Sequence, residues 1–236
     1  HQREDQELSI NHQKLIDATI ESIAQRGLGE TTISHVSSLA GVSQGYAHFR
    51  FKSKENLLIS SLQYLSNEYM ESWSKIFEDK KLAPIDQLSK IIENDFHPRI
   101  ASRKKIAVWF SFYSEVKFIP AYQSICQDQD QIYFEQFKRV LSDLIIFLQK
   151  NLEEDDKTGI GTLAAAYANR GIIKDRNKNY EEALKDYVKA LGIDHESVAG
   201  PGLGTIILNY KFKSSSVRER ALYLNEQLQL PEDERI

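Results

Sequence analysis

Residues 31–58 read TTISHVSSLAGVSQGYAHFRFKSKENLL, and this stretch decides the fold of the N-terminal part of the chain. Apolar residues at helical spacing predict a first short helix: Ile33, Val36 and Leu39. The two threonines that open the stretch carry hydroxyls that can cap this helix. Gly41 can adopt the positive φ of a tight turn, Val42 can fill the angle between two helices, and Ser43 can cap the second helix. The stretch therefore predicts two short helices that cross at a tight turn.

Longer helices flank this pair on both sides. The preceding helix has its apolar residues at helical spacing, and they are Leu15, Ile16, Ala18, Thr19, Ile23 and Ala24. Gly27 is expected to end it. The following helix is predicted to begin at Ser53 and to run to about Asp79, with one apolar face made of Leu57, Leu58, Leu62 and Leu65.

A helix that follows such a turn can place its first residues in the major groove of DNA. The residues at that position are Ser43, Gln44 and Tyr46. Gly45 lets the helix approach the duplex closely. Thr32, with the first amides of the preceding helix, can hold one phosphate, and Lys54 can hold another. The pair of helices is therefore predicted to read base edges between two phosphate contacts.

The charge of this region agrees with that prediction. Between Gln44 and Lys54 the chain has three cations, Arg50, Lys52 and Lys54, and no acid, although its net charge is −4. A local cationic surface favours a phosphate backbone even where the whole protein is acidic. Two plainer interpretations stay open: a solvated helix face, and a helical hairpin within a bundle that has no role in DNA binding.

Residues 10–58 resemble, in order and without gaps, the DNA-binding domain of TetR-family repressors. The motif is carried by Thr31-Thr32-Ile33, Ala40-Gly41-Val42-Ser43-Gln44-Gly45 and Phe51-Lys52-Ser53-Lys54-Glu55-Asn56-Leu57-Leu58. The late recognition helix departs from the family, because His48 stands where a phosphate-contacting tyrosine usually lies and Arg50 replaces an aromatic residue. The resemblance implies these DNA-binding residues: Thr32, Ser43, Gln44, Gly45, Tyr46, His48, Phe49 and Lys54.

Within the middle region, residues 59–155, the stretch from 84 to about 150 more weakly resembles the regulatory part of the choline-responsive, BetI-like branch of that family. It is rich in aromatic residues, namely Phe96, Trp109, Phe110, Phe112, Tyr113, Tyr122 and Tyr133. Aromatic faces attract a quaternary ammonium group, and Glu115 could add a counter-charge. The predicted ligand-binding residues are Trp109, Phe112, Tyr113, Glu115 and Tyr122. Because Trp109, Phe112 and Tyr113 share one helix face, they could equally be ordinary core.

The last part, residues 156–232, has small and aromatic residues at the offsets of a tetratricopeptide repeat: Tyr167, Gly171, Tyr180, Ala183, Tyr187 and Ala190. Gly171 and Ala183 are the small residues that let two antiparallel helices touch. A second, degenerate repeat is predicted from Val198 to about Leu230, opened by Gly200-Pro201-Gly202. The competing interpretation is the pair of dimerisation helices usual in TetR-type proteins, here Gly159–Lys174 and Tyr180–Leu191.

Composition limits the remaining classes. The chain of 236 residues has one cysteine, Cys126, which excludes an internal disulfide and a cysteine-cluster metal site. Its six histidines are scattered and no phosphate-binding glycine loop is present, so we expect no metal, no cofactor and no enzymatic activity. No apolar run reaches the roughly 18 residues of a membrane span. The polar start, residues 1–11, does not resemble a secretory leader, so a cytoplasmic location is expected.

Together these patterns predict an all-α protein. It has a three-helix helix-turn-helix domain at 8–58, a helical ligand-sensing bundle at 59–155 and tetratricopeptide-like hairpins at 156–232. The leading hypothesis is a transcriptional repressor that binds a palindromic double-stranded operator as a homodimer. The family resemblance implies that a small-molecule inducer, cationic and choline-like, would release it. The alternatives are a protein-interaction module with vestigial DNA binding, whose C-terminal repeats recruit a protein partner, and a fused regulator.

Overall fold

The computed structural model describes residues 2–199 and 216–235, and within these ranges the regular structure is helical. The α-helices are α1 (Gln2–Glu30), α2 (Ile33–Ala40), α3 (Gln44–Phe51), α4 (Lys54–Glu78), α5 (Pro84–Asp95), α6 (Arg103–Glu115), α7 (Pro120–Asn151), α8 (Lys157–Arg176), α9 (Tyr180–Ile193), α10 (His195–Ala199) and α11 (Val217–Leu228). A short 3-10 helix, Glu232–Glu234, follows α11. The all-α prediction is confirmed.

The contacts of the chain define two units. The first includes α1 to α4, the later part of α5, α6 and α7 as far as Tyr133. Its core joins the apolar stripe of α1 to that of α4 and to residues of α6 and α7: Leu15, Ile16, Ile23, Leu57, Leu62, Leu65, Phe112 and Tyr122. All four leucines predicted for the face of the fourth helix are buried. A stripe at helical spacing therefore identified the side of α4 that faces the core.

Two predicted features near α2 need correction. Gly27, at φ 79, breaks the helical backbone of α1 as expected, but Thr31 does not cap α2. The Thr31 side chain is buried, where its hydroxyl donates to the carbonyl of Gly27 at 2.9 Å and pairs with the Ser22 hydroxyl at 3.0 Å. Leu39 is 44% exposed, so it lies outside the buried stripe of α2. The helix α2 has only eight residues, and those that it buries are Ile33, Val36 and Ser37. Leu39 lies beyond them, near the end of the helix.

The second unit includes the start of α5 and the chain from Phe134 onward. The later part of α7 packs on α8 through Leu141, Leu144, Ile145, Leu163, Ala166 and Tyr167. The helices α8 and α9 form the predicted antiparallel hairpin. A Cβ at Gly171 would lie 2.8 Å from ring carbons of Tyr187 and 3.3 Å from the carbonyl of Ala183. Glycine is therefore required there by the close approach of the two helices.

The helix α11 lies within the range predicted for the second repeat and packs on α9. Ala221 and Leu224 are buried against Ala183 and Tyr187 of α9. The predicted opening of that repeat, Gly200-Pro201-Gly202, lies outside the described residues. The predicted domain boundaries at 58 and 155 stay predictions. Over the described ranges, no helix is both long enough and apolar enough to cross a membrane.

Candidate nucleic-acid interface

The turn between α2 and α3 has the geometry that its sequence predicts. Gly41 is left-handed, with φ 64 and ψ 34, and its N–H donates to the carbonyl of Ser38 at 3.2 Å. The N–H of Val42 donates to the carbonyl of Ser37 at 3.0 Å, and the Val42 side chain packs against the core of the first unit. These bonds satisfy the last carbonyls of α2 and hold the two helices at a fixed angle.

Three hydroxyl groups cap the helices around this turn. Thr32 accepts from the N–H of His35 at 3.1 Å and Ser43 accepts from the N–H of Tyr46 at 3.2 Å. Ser53 caps α4 in the same way. Thr32 and Ser43, both predicted to bind DNA, therefore have a structural role in these caps. Each is exposed, so its hydroxyl also faces solvent at a helix N-terminus.

The helix α3 has one buried face and one free face. Ala47 and Phe51 are the residues that it buries. The predicted base-reading residues on the other face are exposed, and they are Gln44, Gly45, His48 and Phe49. A Cβ at Gly45 would meet nothing within 4 Å, so packing within the chain does not require glycine there. The free side of Gly45 can accept another molecule at close range.

Positive charge surrounds this free face. The Phe49 ring is 71% exposed, and the Lys52 ammonium lies 4.7 Å from its centroid. Arg50 is exposed on the same helix. An aromatic ring that carries a cation on one side presents both an apolar surface for a thymine methyl group and a charge for a phosphate.

Two predicted DNA-binding residues also hold backbone carbonyls. The Tyr46 hydroxyl donates to the carbonyl of Leu8 at 3.0 Å, which joins α3 to α1. The Lys54 ammonium donates to the carbonyl of Gly29 at 2.7 Å, at the end of α1. An ammonium group has three donors, so this contact leaves Lys54 able to bind a phosphate.

His12 belongs to the same surface, and sequence reasoning missed it. Its ring stacks on Phe51, with centroids 5.1 Å apart and planes at 20°. Burial and then the charge of Arg50 lower the pKa of His12, which favours its neutral form. A surface hollow of about 430 Å³ between α1 and α3 is lined by Leu8, Ser9, His12, Tyr46, Phe49 and Arg50. No local pattern links α1 to α3, so only the fold identifies this contact.

The predicted ligand-binding residues lie in different environments. Phe112 and Tyr122 are buried in the core, where their rings meet edge to face at 5.1 Å. Trp109 is half-buried, with its ring 5.9 Å from that of Tyr113, which is 47% exposed. Glu115 is half-buried at the end of α6. The structure therefore brings Phe112 and Tyr122 together as core, and the predicted ligand site stays a prediction.

A second aromatic cluster in the first unit was not predicted as a group. It joins three residues of α4, Tyr69, Trp73 and Phe77, to Tyr133 of α7. The Tyr69 hydroxyl donates to Oδ1 of Asp95 at 3.0 Å and the Tyr133 hydroxyl donates to Oδ2 at 2.6 Å. Burial, with the charge and the hydrogen bonds at Asp95, raises the pKa of both tyrosines, so both hydroxyls are protonated donors at neutral pH.

Family comparisons agree with both sequence motifs. Residues 15–60 match the family described as bacterial regulatory proteins, tetR family, and residues 164–197 match the tetratricopeptide repeat. The first match covers α2, α3 and their turn. The second covers most of α8, all of α9 and the start of α10.

Relatives of similar sequence carry the name HTH-type transcriptional regulator BetI. The protein of that name from Brucella suis is 30% identical over 104 residues, which are 44% of this chain and 52% of the relative. The chain thus spans about half the length of that relative. The Pseudomonas aeruginosa protein is 26% identical over 183 residues, covering 74% of this chain and 88% of the relative.

A solved structure of similar fold is a transcriptional regulator from Saccharomonospora viridis in complex with choline. It aligns over 92% of this chain and 94% of its own, with a TM-score of 0.54 and 16% identity. At that identity the likeness shows the fold alone.

Proposed function

We propose that this chain is a transcriptional repressor that binds a palindromic operator as a homodimer and is released by a small organic cation. The observation that carries the proposal is the free face of α3. Its exposed residues make no contribution to the core, while Ala47 and Phe51 hold the helix in place. A helix held rigidly by one face, with an unused polar face, suits insertion into the major groove.

The chemistry of that face favours DNA over another protein. Gln44 can pair with an adenine edge through both ends of its amide, and Phe49 can contact a thymine methyl group. Lys52 and Lys54 lie at the junction of α3 and α4, where phosphates flank a helix in the groove. The target of such a protein is chromosomal DNA, which supports a cytoplasmic location.

Release requires a link between a ligand and α3, and α4 supplies it. Its capped start follows α3 directly, and its later turns carry the aromatic cluster of Tyr69, Trp73 and Phe77. A ligand that moves α4 would therefore move the recognition helix. The choline complex of the Saccharomonospora viridis regulator, which has a similar fold, supports a cation of this kind as the inducer.

The proposed dimer uses a groove on α9, and its occupant is the same face of a second copy. The groove has a volume of about 910 Å³ and is lined by Glu181, Leu184, Val188, Lys189, Gly192 and Leu228, among others. Val188 is one of its lining residues and is 58% exposed. Glu181 and Lys189 lie two turns apart, so antiparallel pairing of two α9 helices would set acid against cation at both ends.

The dimer is tested by sedimentation of Val188→Glu, which should shift the protein to the monomer. Ile172→Glu, at an exposed apolar position of α8, is the matched control and should remain dimeric. If only Ile172→Glu becomes a monomer, the dimer interface does not lie at the groove on α9. A wild-type monomer at micromolar concentration would contradict the homodimer.

The DNA-binding proposal is tested by fluorescence anisotropy on DNA from immediately upstream of the gene, against a scrambled duplex, at two salt concentrations. Nanomolar and sequence-selective binding that weakens steeply with salt is expected, because phosphate contacts release counterions. Equal, weak binding to both duplexes would contradict the repressor. It would favour the protein-interaction alternative, which stays open because residues His48–Phe51 depart from the usual sequence of the family.

A further inference from the structure

Asp95 differs from Asp186 and Asp175, two other acids that the fold shields. Asp186 is bound by Arg170 at 2.7 Å and by Lys174 at 2.9 Å, and Asp175 is bound by Arg220 at 2.7 Å. Asp95 is half-buried and accepts only the two tyrosine hydroxyls, with no salt bridge to a described side chain. A half-buried carboxylate that has hydrogen bonds but no cation partner can still attract a cation.

Trp73 adds an unsatisfied hydrogen-bond donor to the same cluster. Its side chain is 2% exposed, and its Nε1–H has no hydrogen-bond partner among the described residues. Its ring lies 5.6 Å from that of Tyr133 and 6.4 Å from that of Tyr69, the two residues that hold Asp95. A buried indole N–H normally finds an acceptor, so this donor is available to a ligand.

We propose that Asp95, Tyr69, Trp73 and Tyr133 form the site for a small organic cation that also carries a hydrogen-bond acceptor, such as an amino alcohol. The carboxylate and the ring faces attract the positive charge, and the Trp73 N–H donates to the acceptor. The inference deepens the proposed function by naming the inducer site, and it rests on that function only for the effect on DNA.

A route to this site runs beside it along the same helices. A groove of about 430 Å³ is lined by Ser72 and Ile76 of α4, by Asn94 of α5 and by charged residues of both signs. Ser72 and Asn94 are the chain neighbours of Trp73 and Asp95, and the Asn94 amide donates to the Ser72 hydroxyl at 3.0 Å. We expect a small ligand to enter from this groove by displacing that contact.

The composition of the chain provides the test. It has two tryptophans, so Trp109→Phe leaves Trp73 as the only indole, and Trp73→Phe leaves Trp109. Both proteins are titrated, without DNA, with choline chloride, with tetramethylammonium chloride and with the neutral isostere 3,3-dimethyl-1-butanol. In the Trp109→Phe protein, choline is expected to give a saturable change in emission. Tetramethylammonium, which lacks the acceptor, should bind several-fold more weakly, and the neutral alcohol should bind at least about tenfold more weakly.

Variants then separate charge from packing. Asp95→Asn in the Trp109→Phe background should weaken choline binding at least about tenfold, because the amide keeps the shape and loses the charge. Asp86→Asn, at an exposed acid on the same helix, is the control and should bind choline normally. The comparison of the three probes needs no Asp95 variant, so it holds even where that variant unfolds.

Three results would overturn the site. The first is a saturable change only in the protein that keeps Trp109, which would assign the ligand to the predicted residues of α6. The second is equal affinity for choline and for the neutral alcohol, and the third is no saturable change with any probe. If the unliganded protein does not bind DNA, the repressor proposal is contradicted, but these titrations are unaffected. Failure of the repressor proposal can therefore be distinguished from failure of the ligand site.

Discussion

The Tyr46 hydroxyl donates a hydrogen bond to the backbone carbonyl of Leu8 at 3.0 Å, and this bond joins the recognition helix to the first turns of α1. The ring is half-buried and packs against the core of the first unit. Tyr46 therefore has two proposed roles. Its ring helps to hold α3 in place, and it lies near the N-terminus of that helix, where the proposed DNA would bind. Substitutions that keep or remove the ring can separate these roles.

Tyr46→Phe keeps the ring and removes only the bond to Leu8. We expect it to lower the free energy of unfolding by about 1 kcal/mol or less, because the bond is exposed to solvent. Tyr46→Ala removes the ring as well and should weaken operator binding at least about tenfold, the effect of about 1.4 kcal/mol. Urea unfolding and anisotropy measure the two effects. Wild-type DNA affinity in a folded Tyr46→Ala protein would remove Tyr46 from the interface.

Lys54→Ala should weaken binding to specific and scrambled DNA alike. One phosphate contact per half-site is lost, so the slope of log K against log salt should decrease by about one unit for each half-site. Lys75→Ala, at an exposed position of the same helix, is the matched control. An unchanged slope in Lys54→Ala would mean that Lys54 serves only the carbonyl of Gly29, at 2.7 Å.

Gly45→Ala should raise the stability of the protein and lower its affinity for DNA. The added Cβ meets nothing within 4 Å, and alanine favours a helix over glycine by up to about 1 kcal/mol. The variant is therefore expected to unfold at a higher urea concentration. Its affinity for the operator should fall, because the methyl group lies on the face that approaches the duplex. A variant that is more stable and also binds normally would show that DNA does not approach α3 at this position.

Local features of this fold were predictable because each depends on a few neighbouring residues. The side chains of Thr32, Ser43 and Ser53 each accept from the N–H of the residue three positions later. The N–H of Gly41 bonds only to carbonyls of α2. A helical stripe likewise identified the buried face of α4, and the tetratricopeptide offsets identified the close contact of Gly171 with α9. The order of the main helices and the turn between α2 and α3 could therefore be predicted from the sequence.

Features that join distant residues could not be predicted in this way. The bonds of Tyr46 to Leu8 and of Tyr133 to Asp95 each span 38 positions, and that of Lys54 to Gly29 spans 25. Aromatic residues at helical spacing also do not reveal which face the core covers. Phe112 and Tyr113 are adjacent in sequence, but Phe112 is fully buried and Tyr113 is 47% exposed. Only the packing of α6 and α7 separates core from surface here.

Asp175 should contribute a pH-dependent part of the stability. Burial alone would raise its pKa, but hydrogen bonds from Arg220 and Tyr187 and the charge of Arg220 lower the pKa below its ordinary value. A carboxyl group with a lowered folded pKa stabilises fully above the unfolded value of about 3.9, and this contribution is lost as pH falls through the folded pKa. The free energy of unfolding should therefore decrease below about pH 4.

In Asp175→Asn, that part of the pH dependence should disappear, and stability at pH 7 should fall by about 1 to 3 kcal/mol as Arg220 loses its charged partner. Asp233→Asn, at an exposed acid, should match the wild type. Urea unfolding between pH 7 and pH 3 compares the three proteins. Coincident stability profiles for Asp175→Asn and the wild type would mean that the contact with Arg220 adds nothing to stability.

Gly171→Ala tests the close approach of α8 and α9. The new Cβ would lie 2.8 Å from ring carbons of Tyr187, whose ring is buried and whose hydroxyl is held by Asp175 at 3.0 Å, so the ring has little freedom to move. Overpacking of this kind costs about 1 to 3 kcal/mol, which exceeds the gain of up to about 1 kcal/mol in helix propensity. We expect a net loss of stability by urea unfolding. Gly161→Ala in the same helix is the control, because its Cβ would meet the Ser197 hydroxyl at an ordinary 3.4 Å, and it should be neutral or stabilising. If both variants gain stability equally, the hairpin is looser than the contact of Gly171 with Tyr187 requires.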